Sequence, residues 1–482
     1  MNHQTVRFAL GRILIVIGLL MIPSIVVALI YGEGWAGVWP FLLSLACCVV
    51  PGWLLSAKKP TRTDFYMKEG FVVVALSWIL LSLLGGLPML FSGSLPSLAD
   101  TFFETASGFT TTGASVAREI ESWSHSQLFW RSFTHLIGGM GVLVFALAIM
   151  PKVDSDDVFI MRAEMPGPIF GKLRSKVRGT ARVLYIIYLG MTAVLIVILI
   201  LVDVPVFDLF LHAFGAAGTG GFGIKNNSVA FYANPAMEYV LSIAMILFGV
   251  NFNLYYFLLI GHVKSFFKSE ELHWYLGIIA TGVLAIVINT MHLYDSFATQ
   301  IRDVLFTVSS IITTTGFTTV NYDRWPMFSH IVLLLLMFVG GMAGSTAGGL
   351  KVSRVAVYIK STFQEIKRNL SPNRKNPVRF EGEKLSNDYV SQIGHYLMVY
   401  IGVFIFFFII ISFDTLDFKS AFSGVAATFN NIGPGLDAVG PSANYATLSV
   451  LSKVSLSFGM IMGRLEIFPI LVLFAPSTWR KI

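Results

Sequence analysis

Four short segments of this chain combine glycine with oxygen-bearing side chains in one recurring order. They are Thr110-Thr111-Thr112-Gly113-Ala114-Ser115, Gly218-Thr219-Gly220-Gly221-Phe222-Gly223, Thr313-Thr314-Thr315-Gly316-Phe317-Thr318 and Asn430-Asn431-Ile432-Gly433-Pro434-Gly435. In register they share Gly113, Gly221, Gly316 and Gly433, spaced about a hundred residues apart, so one unit recurs four times. The chemistry such loops can do is coordination of a bare cation. A potassium ion gives up its water only where oxygens replace it, and stacked backbone carbonyls supply them without fixed charge. Turning successive carbonyls toward one axis needs backbone angles and close approaches that glycine tolerates, and threonine hydroxyls can brace the loop or add oxygens. Thr111, Thr112, Thr314 and Thr315 suit that role, while Thr219, Gly220, Asn431 and Ile432 hold the corresponding positions of two divergent loops. Each loop alone reads equally well as an ordinary outer turn. The recurrence in four units favours four walls of one ion filter.

The elements that must hold these loops are membrane helices. With 55% hydrophobic residues, 13% charged residues, 41 Phe and a mean hydropathy of +0.73, the 482-residue chain is too apolar for a soluble protein. Apolar runs long enough to cross about 30 Å of hydrocarbon fall near 13–31, 38–57, 70–92, 127–150, 181–203, 236–262, 274–293, 328–350, 389–413 and 447–475. The first follows Arg7 and Arg12 but is too long, and too soon followed by a second, to read as a cleaved signal peptide. Most of the 34 Lys and Arg residues fall in 1–12, 58–69, 151–180, 263–273, 351–388 and 476–482, which sets the N-terminus and these segments on the cytoplasmic side. The net charge of +7 therefore reports topology and does not call for nucleic acid. Cys47 and Cys48 are adjacent in an apolar run, a poor geometry for a bridge.

Each glycine loop follows a moderately apolar segment, near 97–109, 206–217, 299–311 and 416–428, too short to span and too apolar for a loop. Re-entrant helices on the outer side fit both properties. Each unit then reads span, pore helix, loop, span. The expected fold is an all-α polytopic membrane protein. Its expected parts are an accessory two-helix hairpin at 1–62 and four linked membrane–pore–membrane repeats at 63–165, 166–268, 269–380 and 381–482, in pseudo-fourfold arrangement.

A second polar, glycine-rich stretch interrupts the eighth run: Gly340, Gly341, Gly344, Ser345, Thr346, Gly348 and Gly349. Interior glycines cost about 1 kcal/mol each relative to alanine, so a straight helix through 328–363 is disfavoured. Gly340, Gly344 and Gly348 have the small-xxx-small spacing of a packing face; the competing reading is an intramembrane loop. Arg464 and Glu466 lie deep in the last run, where charge is costly unless paired or facing water. Glu466 reads best as structural, and Arg464 either as a structural or snorkelling cation or as one facing the pore. Glu104, Asp208, Asp303 and Asp417 sit near the pore-helix segments, where they could draw cations to an outer mouth or begin solvated helices. His135 reads as a hydrogen-bonded packing residue, and Asn251 and Asn253 suit a local helix break. The stretch from Gly344 to Lys351 lacks the Gly-Lys-Ser/Thr of a phosphate loop. No metal-ligand or nucleophile set stands out, so an enzyme is not expected.

With these features the chain resembles the Trk/Ktr/HKT superfamily of potassium transporters, most closely the membrane subunits of bacterial Trk potassium-uptake systems. The likeness rests on the four loops, the break near 340–349, the Gly463-Arg464-Leu465-Glu466 segment and the extra hairpin. It implies a potassium filter of Thr111, Thr112, Gly113, Thr219, Gly220, Gly221, Thr314, Thr315, Gly316, Asn431, Ile432 and Gly433. Below it would lie a gate loop over 340–349, with Arg464 as a pore barrier or a brace for that loop. A serine at the first filter position accompanies sodium transport in plant members; Gly113 there implies potassium. The unequal second and fourth loops imply looser discrimination against sodium than in a symmetric filter. The resemblance further implies location in the bacterial cytoplasmic membrane with both termini inside, homodimers with one pore per protomer, and contact with membrane lipids. A cytosolic RCK-type, TrkA-like ring would dock on the basic segments 151–180 and 351–388. Potassium would be the substrate, no cofactor would be covalently bound, and a nucleotide (NAD or ATP/ADP) would sit on the partner and not on this chain. Without an ATPase motif, passive channel-like flux is expected. A sodium- or proton-coupled symporter is the alternative, and a non-transporting sensor or scaffold a third reading.

Overall fold

The computed structural model describes residues 1–60, 66–141, 177–371 and 377–479. Their regular secondary structure is helical apart from one small hairpin that pairs Arg379–Phe380 with Glu383–Lys384. Among the described residues, six helical segments are long and apolar enough to cross a membrane. Their outward faces carry large apolar side chains, such as Leu201 at 76% and Met398 at 72% exposure, a surface that suits lipid and not water.

The N-terminal hairpin packs His3–Ile30, broken once near Leu20, against Gly34–Ser56. Small residues allow the close crossing: a methyl group at Gly11 would lie 2.7 Å from the Gly52 carbonyl, and one at Gly52 the same distance from that of Gly11. The hairpin is moored to the first repeat by the Asn2 amide, which donates to Glu69 (3.1 Å), and by Glu33, which accepts from the Ser126 amide (3.0 Å).

Four short helices occupy the expected pore-helix positions: Leu98–Phe109, Val206–Gly218, Phe297–Ile312 and Phe418–Phe429. The first and fourth start where a side chain satisfies an orphan helical amide. Ser97 accepts from Asp100 N at 3.1 Å and Asp417 from Ser420 N at 3.0 Å. Each pore helix is preceded by an outer helix, namely Met67–Phe91 with a bend, Val177–Leu201, Glu270–Thr290 and Asn387–Ile411. Each is followed by an inner helix.

The inner helices depart from the sequence reading. A break was expected in the third, with only a local one near Asn251; among the described residues the second, third and fourth are all interrupted. The first ends at Gly139 with Gly141 at φ +83°, and the remainder of the run 127–150, from residue 142, lies outside the described residues. The second bends by 91° between Pro235–Phe248 and Phe252–Leu259, where Asn251 caps the new helix by accepting from Asn253 N at 2.9 Å. The third stops at Val339 and resumes at Val352. The fourth stops at Arg464 and resumes at Phe468, with Glu466 at φ +55° and Ile467 at φ +71°. Gly340, Gly344 and Gly348 therefore lie on no helix, and the packing-face reading of that stretch fails. The basic segment 151–180 falls outside the described residues up to 176, as do 372–376 of the second basic segment.

Candidate permeation site

The four pore helices end in one and the same way. Two residues before each shared glycine, the amide donates to the carbonyl three residues back: Thr111 to Gly108, Thr219 to Ala216, Thr314 to Ile311 and Asn431 to Thr428, at 3.1–3.2 Å. The next amide reaches five residues back: Thr112 to Ser107, Gly220 to Gly215, Thr315 to Ser310 and Ile432 to Ala427, at 2.7–2.8 Å. These bonds satisfy the last carbonyls of each helix by a left-handed turn. The turn places Thr111, Thr219, Thr314 and Asn431 at φ between +54° and +59°, and the glycines that follow at +70° to +101°. For the three threonines and the asparagine this is strained backbone, at roughly 1–2 kcal/mol each. The same strain repeated at four equivalent places marks a conformation that the surrounding structure imposes.

The loops meet in a closed circuit. A methyl group at Gly113 would lie 2.1 Å from the carbonyl oxygen of Gly220, one at Gly221 1.9 Å from that of Thr315, one at Gly316 2.0 Å from that of Ile432, and one at Gly433 2.6 Å from that of Thr112. Each glycine thus abuts the carbonyl that precedes the next loop's glycine, and the fourth returns to the first. Above the ring opens a cavity of about 300 Å³ to which Gly113, Gly221, Gly316 and Gly433 all contribute. All twelve residues assigned to the filter come together here, and their side chains point away from solvent: Thr111, Thr112, Thr219, Thr314, Thr315, Asn431 and Ile432 are all buried. Thr112 bonds Thr110 (2.7 Å), Thr315 bonds Thr313 (2.8 Å), and Asn431 donates across the ring to Thr112 Oγ1 (2.9 Å) and to the Met460 carbonyl (2.9 Å).

Every seam of the circuit carries a polar clasp. Between the first and second units, Arg131 pairs with Glu104 at 2.6 Å, donates to the Gly223 carbonyl at 2.8 Å and lies over the Phe222 ring. Between second and third, Glu238 meets Arg302 at 2.8 Å and the Ala230 amide donates to the Thr318 carbonyl. Between third and fourth, Tyr322 donates to the Gly435 carbonyl and Asp323 accepts from the Asp437 amide. Lys453 closes the ring on Asp100 at 2.7 Å, beside a Tyr445 amide bond to the Ser115 carbonyl. This corrects the reading of Glu104 as a solvated or mouth-lining acid. It is fully buried, holding Arg131, the Ser115 hydroxyl and the Val116 amide. Asp208 is engaged by the Tyr232 hydroxyl, Asp303 lies beside Arg302, and Asp417 serves as a helix cap.

Residues 340–351 form an irregular loop directly against the filter loops. The Gly348 amide donates to the Thr314 hydroxyl (2.6 Å), and a methyl group at Gly348 would lie 2.4 Å from the Asn430 carbonyl. The loop closes on itself, with a methyl at Gly340 coming within 2.2 Å of the Gly348 carbonyl. Gly340, Gly344 and Gly349 all take φ near +75°, which excludes most other residues. Gly341 accepts from the Val352 amide, Ser345 donates to the Met342 carbonyl, and Thr346 donates to that of Phe248. The bend of the second inner helix holds the other flank: Met342 N donates to the Gly249 carbonyl and Phe252 N to that of Gly344, both at 3.0 Å. Irregular backbone within a membrane protein is tolerated where protein satisfies it, as here.

Two charged residues secure this loop. Arg464 donates to the Thr346 carbonyl at 2.7 Å and to the Gly138 and Gly139 carbonyls at 2.6 Å each. It thereby ties this loop to the C-terminal end of the first inner helix, where carbonyls lack helical partners. Glu466 does not pair with it; it is bonded to Arg354. The sequence reading missed Glu271, which accepts from the amides of Ala343 (2.8 Å) and Ser353 (3.2 Å) at the two ends of the loop. An acid beginning a helix reads as a dipole partner, and nothing in its spacing reveals a bond to a distant loop. Among the described residues no cluster of three or more His, Cys, Asp or Glu is poised to hold a metal.

Comparison with known proteins agrees with this arrangement. A model of the TrkH family, cation transport proteins, matches residues 41–481. The chain is 35% identical to the Trk system potassium uptake protein TrkH of Salmonella typhimurium and 34% identical to that of Escherichia coli, covering all of both chains in each case. The crystal structure of the potassium transporter TrkH from Vibrio parahaemolyticus superimposes with a TM-score of 0.90 at 30% identity, again over the full length of both chains.

The chain belongs to the TrkH family. As a TrkH-family member it is a multi-pass membrane transport protein of the cytoplasmic membrane, not an enzyme. The family model begins at residue 41, and the alignments to the relatives extend over the N-terminal hairpin as well.

Proposed function

We propose that this TrkH-family chain takes up potassium ions through a channel-like pore whose narrowest part is the ring formed by Thr111, Thr112, Gly113, Thr219, Gly220, Gly221, Thr314, Thr315, Gly316, Asn431, Ile432 and Gly433. The observation that carries the reading is the closed circuit of glycine-to-carbonyl contacts. Four equivalent carbonyls around one axis are what replacement of an ion's water shell requires. Residues 340–351 act as the gate in this reading. They lie against the filter, are held by Arg464 and Glu271, and carry the backbone freedom that movement needs. Arg464 serves as brace and adds positive charge beneath the filter. A cytosolic RCK-type, TrkA-like ring carrying NAD or ATP/ADP docks on the cytoplasmic segments and displaces the loop, and two protomers assemble with one pore each. The relatives named as Trk potassium-uptake proteins support the choice of potassium.

The test is flux of potassium, rubidium and sodium into proteoliposomes bearing the wild type or Gly113→Ser. The reading expects wild-type flux that favours potassium and a Gly113→Ser variant with weakened preference. Equal ratios in both proteins would count against the filter assignment.

A further inference from the structure

The second filter loop departs from the first and third at two positions, and one histidine abuts both, with its ring at one and its backbone carbonyl at the other. In the first loop, one and three residues before the shared glycine, stand Thr112 and Thr110, whose hydroxyls bond each other at 2.7 Å. The third loop repeats this with Thr315 and Thr313 at 2.8 Å. In the second loop the same positions are Gly220 and Gly218, so neither carries a side chain. His135, from the first inner helix, fills the vacated space. A methyl group at Gly220 would fall 1.3 Å from His135 Nδ1 and 2.2 Å from its Cε1, and one at Gly218 would fall 2.2 Å from the His135 carbonyl oxygen. The imidazole is fully buried, packs edge-to-face on Phe222 with 4.2 Å between ring centres, and neither ring nitrogen finds a hydrogen-bond partner among the described residues. The expected packing role of this histidine holds, while the expected hydrogen bond does not; the ring is held by shape.

We propose that His135 is a positioning residue for ion selectivity: its ring replaces, from a neighbouring unit, the threonine that stands just before the shared glycine in the first and third filter loops, and so sets the position of the Gly220 carbonyl, while its backbone carbonyl leaves no room for a side chain at Gly218. This rests on the assignment of the four loops as the filter. Burying a polar ring without a partner is costly, and its placement against the filter gives that cost a purpose. The space can hold either a ring from the helix or a side chain from the loop, not both. The two positions must therefore be coupled, as residues sharing one volume are.

The experiment measures potassium-to-sodium flux ratios in proteoliposomes for His135→Ala, Gly220→Thr, the double variant and Gly113→Ser, with the yield of monodisperse protein for each. We expect each single change at 135 or 220 to lower the ratio about twofold or more, the lower end of the coupling between packed neighbours. The double variant should recover most of the wild-type ratio, because the threonine then has room. Should His135→Ala fail to fold, recovery of folded, selective protein in the double variant carries the same information. A His135→Ala ratio equal to wild type, a Gly220→Thr ratio equal to wild type, or a double variant no better than either single would overturn the proposal. Gly113→Ser separates the causes. If it shifts the ratio while His135→Ala does not, the filter reading stands and the histidine role falls; if neither shifts it, the filter reading falls too.

Discussion

A methyl group at Gly316 meets two obstacles at once: a backbone φ of +86° and the Ile432 carbonyl 2.0 Å away. The left-handed angle alone costs roughly 1–2 kcal/mol, and the collision displaces a carbonyl of the ring itself. Gly316→Ala should abolish selective cation flux. By contrast, Gly402→Ala, on a helix with nothing within 4 Å, should leave flux unchanged and stabilise by up to about 1 kcal/mol. Parallel flux assays and thermal melts in detergent check both. Arg464 acts differently, through three carbonyl acceptors. A charged hydrogen bond contributes about 1.5–3 kcal/mol, so Arg464→Ala should raise single-channel open probability or liposome flux by about tenfold or more. Unchanged flux would show that the brace does not hold the gate. The convergence of the four loop glycines was legible because one pattern recurs four times, and Arg464 stood out because a charge deep in an apolar run is costly. The Glu104–Arg131 pair was not, since an acid near a helix start fits solvent as readily as a partner in another helix.

Among the elements, the loop 340–351, the proposed gate, is tethered at each end by Glu271 and against the third glycine loop by the Gly348 amide, which donates to the Thr314 hydroxyl. Removing part of 343–348 should raise ion flux in a properly inserted protein, and Glu271→Gln, which weakens two charged acceptor bonds, should raise it less. Flux no higher than wild type in both would discredit the loop as a gate. The pore helices were readable to within two residues because short apolar segments ahead of glycine loops fit no other element. The interruption at 340–351 was readable from its glycines. That at Leu465-Glu466-Ile467 was not. A β-branched residue at φ +71° has no local signal, and it is imposed by packing, with Leu465 and Ile467 both fully buried. The Asn251 cap had a signal, a polar pair in an apolar run, but the 91° bend beside it had none.

For the molecule as a whole, four non-identical units close into a ring through different chemistry at each seam. The Lys453–Asp100 pair joins the last unit to the first. Lys453→Met leaves Asp100 buried without its cation, and loss of one partner from a buried pair costs about 3–5 kcal/mol. The variant should melt well below wild type, and adding Asp100→Asn should restore part of the loss; melting in detergent measures both. Such seams are invisible to composition, whereas the fourfold plan itself could be read from the repeated loops, since only repetition distinguishes a filter wall from a turn. The most direct test is anomalous diffraction from crystals grown in rubidium or thallium. The account predicts cation density on the axis bounded by the carbonyls of Thr112, Gly220, Thr315 and Ile432. Cations bound elsewhere in the protein, with that axis empty at saturating concentration, would contradict it.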